Sequence, residues 1–273
     1  MTRQKFLRVS FLIAATIAAS GCSVFKKGKG PSTPVLGERI AVLTGEGDVT
    51  VDPATAALPM TLPQAVANTD WTQSSGNATK SMGQLALGNS LGSAFTVQAG
   101  RGNSLTVRLA AAPIYSNGRI YTIDTLGSVR AFDSRNGGQL WASQTPSEKG
   151  GTASMYGGGI AYDKGRIYAT NGLGFVAALD ERNGGIIWQV RPGGPLRGSP
   201  TVANDSVYVM SQDNQVYSLK EADGSTNWSN AASLEIAGVF GSASPAVGQG
   251  TVVAGFSSGE LNAYRYENGR MVW

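Results

Sequence analysis

The side chains that most often carry out chemistry in proteins are scarce in this sequence. It contains no His and one Cys, Cys22, together with 18 acidic residues. In the second half, the carboxylates fall mostly in turns, as at Asp133, Asp180, Asp223 and Glu267, where structural roles suffice. Without His, imidazole bases and CxxCH haem ligation are excluded. The sequence therefore predicts no catalytic residue, no cofactor and no metal.

Cys22 is the one side chain with a predicted covalent chemistry. A basic start with Arg3, Lys5 and Arg8 precedes a short apolar run, and small residues lead into the thiol. The run is too short to span a bilayer, so the pattern indicates a secretion signal over residues 1–21. A Cys directly after small residues is typical of bacterial lipoproteins. Burial of each methylene of the attached acyl chains in the bilayer contributes ~0.8 kcal/mol to membrane binding. We predict lipidation of Cys22, the alternative being an ordinary signal peptide.

The residues after Cys22 predict a location and a tether. Ser23 stands where an Asp would favour retention at the inner membrane, so we predict a lipid anchor at the periplasmic face of the outer membrane. Residues 22–69 mix Gly, Pro, Thr and Ala, a composition typical of a flexible tether. Removing residues 1–21, which hold three basic and no acidic side chains, lowers the net charge from +4 to +1. That balance argues against nucleic-acid binding.

One phrase recurs four times in the rest of the chain: a strand end, a turn with Gly, and a Trp. It reads AFDSRNGGQLW, ALDERNGGIIW, SLKEADGSTNW and AYRYENGRMVW, and its Trp141, Trp188, Trp228 and Trp273 lie 47, 40 and 45 positions apart. This period is typical of one four-stranded propeller blade. We predict that each Trp wedges between neighbouring blades, with its ring N–H reaching a carbonyl. A β-sandwich, the alternative, has no reason to repeat one turn at a fixed offset.

Two short β-rich runs precede each phrase, and a segment of small residues opens each unit. Small residues suit the innermost strand, because blades converge on the central axis. The sequence thus predicts an all-β fold, a partial β-propeller over residues 70–273. Its blades are predicted at about 101–144, 150–191, 197–231 and 241–273.

Phe95 lies 46 positions before Trp141, where a further rim Trp would fall. It predicts an outer strand of another blade. Three units are complete, and the fourth reaches Trp273 within its last strand. Since an open arc exposes blade faces and a strand edge, we predict about four of eight blades, the N-terminal part of a longer ring.

The unit A-x-D-x-x-N-G-G-x-x-W resembles the tryptophan-docking motif of pyrroloquinoline-quinone-type (PQQ-like) propeller repeats. It is complete in 131–141 and 178–188, whereas Ser218, Lys220 and Arg265 depart from it in the later units. The stretch DWTQSSGNATKS is similar to the initial segment of such propellers. Together with the lipoprotein signal, the tether and an EADG turn, these motifs resemble the BamB family of outer membrane protein assembly factors.

That resemblance implies a non-enzymatic, eight-bladed periplasmic propeller anchored by lipid to the outer membrane. It implies binding to the periplasmic POTRA domains of a BamA-like barrel-inserting subunit and to unfolded outer-membrane proteins. The family's partner-binding loop follows the blade with the EADG turn and carries Leu-Arg-Gly. This register holds Val239 and Phe240, whereas a literal match, Leu196 and Arg197, lies one blade earlier. Both pairs are predicted partner-binding residues.

Two other functions stay open at this stage. Quinone (PQQ)-dependent periplasmic dehydrogenases use the same repeat, but their site needs Ca²⁺ held by oxygen ligands, an Asp base and often a vicinal disulfide. Cys22, the only Cys, precedes the propeller. The other alternative is a lipid-anchored propeller that binds peptidoglycan, polysaccharide or another envelope partner.

Overall fold

The computed structural model describes residues 51–105, 107–147, 157–234 and 243–273. Cys22, Val239 and Phe240 therefore lie outside the described residues, and their predicted roles stay predictions. The chain divides into one compact unit that ends at Met60 and a second that runs from Thr61 to Trp273.

The described part of the first unit holds one short helix, α1 (Pro53–Ala56). Asp52 caps it, because its carboxylate accepts the backbone N–H groups of Ala54 and Thr55. Within the described residues, no helix is long and apolar enough to cross a membrane.

In the described part of the second unit, the strands form four antiparallel sheets. The first sheet contains β1 (Ile114–Ser116), β2 (Arg119–Ile123), β3 (Ser128–Asp133) and β4 (Gln139–Gln144). The second contains β5 (Gly158–Asp163), β6 (Arg166–Asn171), β7 (Val176–Asp180) and β8 (Ile186–Val190). The third contains β9 (Thr201–Ala203), β10 (Ser206–Met210), β11 (Gln215–Lys220) and β12 (Thr226–Ala231). The fourth contains β13 (Ala246–Gly248), β14 (Thr251–Gly255) and β15 (Leu261–Arg265).

Strand order within every sheet follows chain order, so each sheet is a meander of hairpins. In the fourth sheet, a short run after β15 adds backbone hydrogen bonds: Val272 N–H donates to Ala263 O at 2.7 Å, and Ala263 N–H donates to Trp273 O at 3.0 Å. The all-β prediction is confirmed.

The core lies between successive sheets. Three apolar clusters join the first sheet to the second, the second to the third, and the third to the fourth. In β7, Val176, Ala177, Ala178 and Leu179 are all fully buried, so both faces of this strand are covered. This arrangement explains the nearly continuous apolar character of the run, since a half-exposed strand would alternate.

A tryptophan from each of the first three sheets reaches the backbone of the next sheet. The indole N–H of Trp141 donates to Glu181 O at 2.8 Å, and that of Trp188 to Glu221 O at 3.0 Å. The indole N–H of Trp228 donates to Tyr266 O at 2.8 Å. Each acceptor is the residue that follows the third strand of the next sheet. The three contacts define the first, second and third junctions between sheets.

The Gly of each turn makes room for the indole ring. A Cβ added at Gly184 (φ +73°) would lie 2.5 Å from Cε3 of Trp141, so both the close approach and the positive φ require glycine. Phe95 packs against the turn glycine of the first sheet as Trp141 packs against that of the second sheet. A Cβ added at Gly137 would lie 2.7 Å from the Phe95 ring. Phe95 thus stands where a docking Trp of a preceding sheet would lie.

A segment ahead of the sheets, Trp71–Ala78, forms a strap across the innermost strands. On the first sheet, Trp71 and Tyr115 exchange backbone hydrogen bonds of 2.8 Å in both directions. On the second sheet, Tyr162 N–H donates to Thr72 O at 2.8 Å.

The strap continues onto the third and fourth sheets. The Gln73 side chain is buried and binds the backbone of Val202 twice: its Nε2 donates to the carbonyl at 2.7 Å, and its Oε1 accepts the N–H at 3.1 Å. On the fourth sheet, Val247 N–H donates to Ala78 O at 2.8 Å. The four bound positions are equivalent in the repeat, so one short segment covers the same inner-strand site on all four sheets.

Candidate functional site

The first junction is closed by a carboxylate as well as by an indole. The Arg119 guanidinium donates to the Glu181 carbonyl at 2.7 Å, the same oxygen that accepts from Trp141. The Glu181 carboxylate accepts the hydroxyls of Tyr121 and Tyr162, each at 3.2 Å. Burial, followed by the Glu181 charge, raises the pKa of Tyr121 well above its usual range. Glu181 therefore ties the two sheets together through both its backbone and its side chain.

The second junction repeats this clasp and adds a second cation. Arg166 donates to the Glu221 carbonyl at 2.8 Å, and the Tyr168 hydroxyl donates to the Glu221 carboxylate at 2.9 Å. The Lys164 ammonium adds contacts of 3.1 Å to Glu221 and 2.6 Å to Asp205. The clasp is defined as this Arg–Tyr–Glu arrangement between adjacent sheets.

The third junction lacks the clasp. Ser206 stands at the position of the Arg, and Tyr266 stands at the position of the Glu. Tyr208, the equivalent of Tyr168, is fully buried, and its hydroxyl has no hydrogen-bond partner within the described residues. Among the described residues, the Trp228 indole alone donates to the Tyr266 carbonyl. The charged partners are replaced together, and one hydroxyl is left unsatisfied.

A second unsatisfied group follows the strap. The Nζ atom of Lys80, just after the strap, is buried and has no hydrogen-bond partner among the described residues. Burial alone lowers the pKa of Lys80 to about 8. Close by, Thr79 packs on Gly248 of the fourth sheet: its Cγ2 would lie 3.1 Å from a Cβ added there.

The connection from the second to the third sheet carries two predicted partner-binding residues, and backbone hydrogen bonds hold its middle part. Gly158 N–H donates to Arg197 O at 2.9 Å, and Gln212 N–H donates to Pro195 O at 2.8 Å. The Arg191 guanidinium stacks over the Phe175 ring, 5.5 Å from its centroid. The loop is therefore anchored to the start of β5 and to the turns that precede β7 and β11.

The structure places the two predicted residues of this loop differently. Leu196 is fully buried in the cluster between the second and third sheets. Arg197 is partly exposed, and its guanidinium donates to the Gln212 side chain. The loop surface that a partner can reach is therefore formed by Arg197 with the exposed Arg191 and Pro195. A contact through Leu196 would need this core residue to leave its cluster.

The four predicted docking tryptophans also differ in exposure. Trp141 and Trp228 are each 8 % exposed, and Trp188 is partly buried. Trp273 is 59 % exposed, because no further sheet stands against the fourth sheet among the described residues. The docking of Trp273 stays a prediction.

Sequence reasoning missed the clasp glutamates and the contacts of the strap. Glu181 and Glu221 each directly follow the third strand of their sheet, after Asp180 and Lys220, so the recurrence of Glu at the same position of adjacent repeats was a readable signal. The stretch DWTQSSGNATKS marks the strap as an initial segment, but its contacts with the four sheets had no such signal, because most of them run through backbone atoms. Within the described residues, no group of three or more His, Cys, Asp or Glu side chains is placed to hold a metal ion.

Sheets of this kind, docked in chain order by tryptophans and crossed by a strap, define a β-propeller of PQQ-like repeats. A family model described as outer membrane protein assembly factor BamB matches residues 125–273. Since this match covers more than half of the chain, the chain belongs to that family.

Individual relatives agree with this assignment. The chain is 25 % identical over 166 residues to the outer membrane protein assembly factor BamB of Yersinia pestis, covering 59 % of this chain and 42 % of the relative. It is 25 % identical over 165 residues to the factor of the same name from Moranella endobia (strain PCIT), with the same coverage. The chain therefore spans less than half the length of these relatives.

Solved structures show the same fold. BamB from Moraxella catarrhalis superposes with a TM-score of 0.51 at 20 % identity, covering 64 % of this chain and 50 % of that one. A quinohemoprotein alcohol dehydrogenase from Pseudomonas putida HK5 also gives 0.51, at 19 % identity, covering 63 % and 34 %. The predicted propeller fold is thereby confirmed, and both an assembly factor and an enzyme share it.

Proposed function

We propose that this chain is a non-enzymatic scaffold of the β-barrel assembly machinery. In this role it binds the periplasmic domains of a BamA-like subunit and assists the folding and insertion of outer-membrane β-barrel proteins. Membership of the family named for outer membrane protein assembly supports this role. The propeller supplies a rigid disc whose connecting loops offer a broad surface for partners.

The strap is the structural observation that favours a scaffold over a cofactor enzyme. It occupies the same inner-strand position on all four sheets, from Tyr115 to Val247. A ligand at this position on the axis would have to displace backbone hydrogen bonds and the buried Gln73 side chain. Because buried backbone groups left unpaired are costly, such a ligand would bind against a large penalty.

The partner surface is proposed on two equivalent connections. The loop with Arg197 follows β8, and the segment with Val239 and Phe240 follows β12, so both leave equivalent strands of adjacent sheets. An arginine and an aromatic residue are common anchors in protein interfaces. We propose that Arg197 and Phe240 contribute to one contact with the barrel-inserting subunit, with Val239 beside Phe240.

The anchor is proposed at Cys22, which would hold the propeller at the periplasmic face of the outer membrane. Cys22→Ser should abolish labelling by a palmitate analogue and release the chain from the membrane fraction. Ser23→Ala, which leaves the thiol in place, serves as the control. Persistent lipid labelling of the Cys22→Ser chain would contradict the anchor.

Co-purification tests the scaffold role. The tagged chain, produced in its natural length in a Gram-negative envelope, should recover the barrel-inserting subunit after mild detergent extraction. Arg197→Glu combined with Phe240→Asp should reduce this recovery, whereas Arg135→Glu, at an exposed turn of the first sheet, should not. Absence of the subunit together with quinone-dependent alcohol oxidation would replace the scaffold by the dehydrogenase alternative.

A further inference from the structure

The third sheet departs from the repeat where it lines a pocket of about 570 Å³, here called the third-sheet pocket. The pocket lies at the end of the sheet where β9 turns into β10 and β11 turns into β12. Two arginines of the second sheet are replaced there by small residues, and an ammonium and an amide are gained. The four replacements are Ser206 for Arg166, Lys220 for Asp180, Ala222 for Arg182 and Asn227 for Ile187.

An ion pair covers the equivalent turn of the second sheet. Arg182 donates to the carboxylate of Asp180 at 2.8 Å, and the first sheet has the same pair. With Lys220 and Ala222 at these positions, the third sheet cannot form this pair. The substitutions therefore replace a paired carboxylate by an ammonium at the wall of the third-sheet pocket.

Polar side chains of β10 and β11 share the face of the third sheet that packs against the fourth sheet. In the register of these strands, Ser206 is paired with Lys220, and Tyr208 with Ser218. Paired residues, and residues two positions apart in a strand, project on the same face. Tyr208 belongs to the apolar cluster between the third and fourth sheets, which identifies this face. The amide of Asn227 donates to the Ser206 hydroxyl at 3.1 Å.

The two sides of the third-sheet pocket differ in charge. Toward the second sheet, the Lys164 ammonium contacts the carboxylates of Asp163, Asp205 and Glu221 at 3.4, 2.6 and 3.1 Å. These carboxylates are therefore already engaged with a cation. Toward the fourth sheet, the ammonium of Lys220 stands beside neutral polar groups of the lining, so an anion is favoured on that side.

The second junction shows how a hydroxyl and an ammonium together hold a carboxylate. The Glu221 carboxylate accepts from the Tyr168 hydroxyl at 2.9 Å and from the Lys164 ammonium at 3.1 Å. The third junction has the same two donor types, in Tyr208 and Lys220, without a glutamate from the fourth sheet.

The Tyr208 hydroxyl is the donor at the third junction that needs an acceptor. Tyr208 is fully buried, and its hydroxyl has no hydrogen-bond partner within the described residues. Burial raises the pKa of Tyr208, and the nearby hydroxyls of Ser206 and Ser218 oppose this rise. Since Ser206 also lines the third-sheet pocket, the pocket extends to the neighbourhood of the unsatisfied hydroxyl.

We propose that the third-sheet pocket binds a carboxylate group from another molecule, in the role that a Glu side chain has at the second junction. The Lys220 ammonium and the Asn227 amide bind its oxygens from the pocket wall, and the Tyr208 hydroxyl donates to it from the core. A carboxylate has about four lone-pair sites, enough for these three donors. Two sources share this chemistry: a free organic acid and a carboxylate carried by a partner protein. The site goes beyond the scaffold role and does not depend on it.

Acetate, titrated into the full chain at constant ionic strength, tests the site. In ¹H–¹⁵N spectra, acetate should shift the side-chain amide of Asn227 in a saturable manner. Lys220→Met should weaken acetate binding about tenfold, because it removes a charge-assisted hydrogen bond, and Tyr208→Phe should weaken it about threefold or more. The matched Tyr168→Phe removes a hydroxyl already bound to Glu221 and should leave acetate affinity within about twofold.

An internal carboxylate should compete with acetate. Tyr266→Glu restores the glutamate of the repeat and should abolish the acetate-dependent shift of Asn227, while the backbone amide spectrum shows that the chain is folded. Four results would overturn the proposal: no saturable shift in the unmodified chain, equal weakening by Tyr208→Phe and Tyr168→Phe, undiminished acetate binding by the folded Tyr266→Glu chain, or tighter binding of inorganic phosphate than of acetate.

Two peptides distinguish the sources of the carboxylate. The first is a capped tripeptide with a central glutamate, and the second carries glutamine in its place. Tighter binding of the glutamate peptide than of acetate, with no binding of the glutamine peptide, would assign the site to a carboxylate of a partner protein. Weaker binding of the glutamate peptide than of acetate would assign it to a free organic acid.

Discussion

The first two junctions and the third junction solve the same packing problem with different chemistry. In all three, an indole N–H donates to a backbone carbonyl of the next sheet. In the first two, an Arg shares that carbonyl and a Tyr hydroxyl binds the Glu carboxylate. In the third, Ser206 and Tyr266 replace the pair, and the Tyr208 hydroxyl is unsatisfied. A backbone acceptor survives any substitution, whereas a side-chain clasp requires two residues to change together.

Removing an indole should have the largest effect. Trp188→Ala is expected to lower the free energy of unfolding by about 3–5 kcal/mol, because loss of a large ring packed against the next sheet leaves a cavity. Trp228→Ala should cost about as much, although the third junction lacks the clasp. Denaturant unfolding with each variant measures both. A cost below about 1 kcal/mol for either would show that the indoles do not hold the sheets.

Removing the buried ammonium next to the strap should stabilise the chain. Lys80→Met is expected to raise the free energy of unfolding at pH 7 by up to about 3 kcal/mol, since the lowered pKa corresponds to about 1.4 kcal/mol per unit. An exposed lysine, Lys220→Met, is the control and should change little.

The same group predicts a pH dependence of stability. The pKa of Lys80 is about 8 in the folded chain against 10.5 unfolded, so between these values the unfolded state binds more protons. Stability should therefore rise with pH above about 8, with the penalty fully present below it. Measurements up to about pH 9 keep tyrosine ionisation small. The rise should be absent from the Lys80→Met chain; an identical rise in both chains would assign it to another group.

The strap is attached to different sheets through different groups, which can be tested separately. It binds the third sheet through the Gln73 side chain, but the first two through backbone atoms. Gln73→Ala is expected to cost about 2 kcal/mol, because it leaves the N–H and carbonyl of Val202 unpaired. Hydrogen exchange should become faster at Val202, while the Tyr115 amide should keep its protection. Equal loss at both residues would mean that the strap detaches as one unit.

Removing single tyrosine hydroxyls should have the smallest effect on stability, but the effect should differ between the second and third junctions. Tyr168→Phe removes a hydroxyl that binds Glu221 and should cost about 1 kcal/mol. Tyr208→Phe removes a hydroxyl without a partner and should be neutral or stabilising by up to about 1 kcal/mol. Equilibrium unfolding of the two variants under one condition gives the difference. A larger loss of stability from Tyr208→Phe than from Tyr168→Phe would contradict the difference between the second and third junctions.

The sequence predicted the repeat more fully than the contacts between repeats. The spacing of Trp141, Trp188 and Trp228 and the Gly of each turn recur at fixed offsets, so the sheets and their docking residues could be predicted. The burial of Leu196 could not, because a Leu-Arg-Gly string has the same appearance on a loop surface and beneath it. The contacts of the strap, within the recognised stretch DWTQSSGNATKS, were equally hidden, since backbone hydrogen bonds place no requirement on residue type. Tertiary contacts, which no local pattern encodes, decide both.

Hydrogen exchange at the indole N–H groups, followed in ¹H–¹⁵N spectra of the full chain, tests most directly whether tryptophans lock each sheet to the next. The indole signals of Trp141, Trp188 and Trp228 should exchange slowly and to a similar extent at all three junctions. The exposed Trp273 should exchange rapidly. Fast exchange at any of the three docked indoles, with the sheets still intact by their backbone amides, would contradict the shared lock.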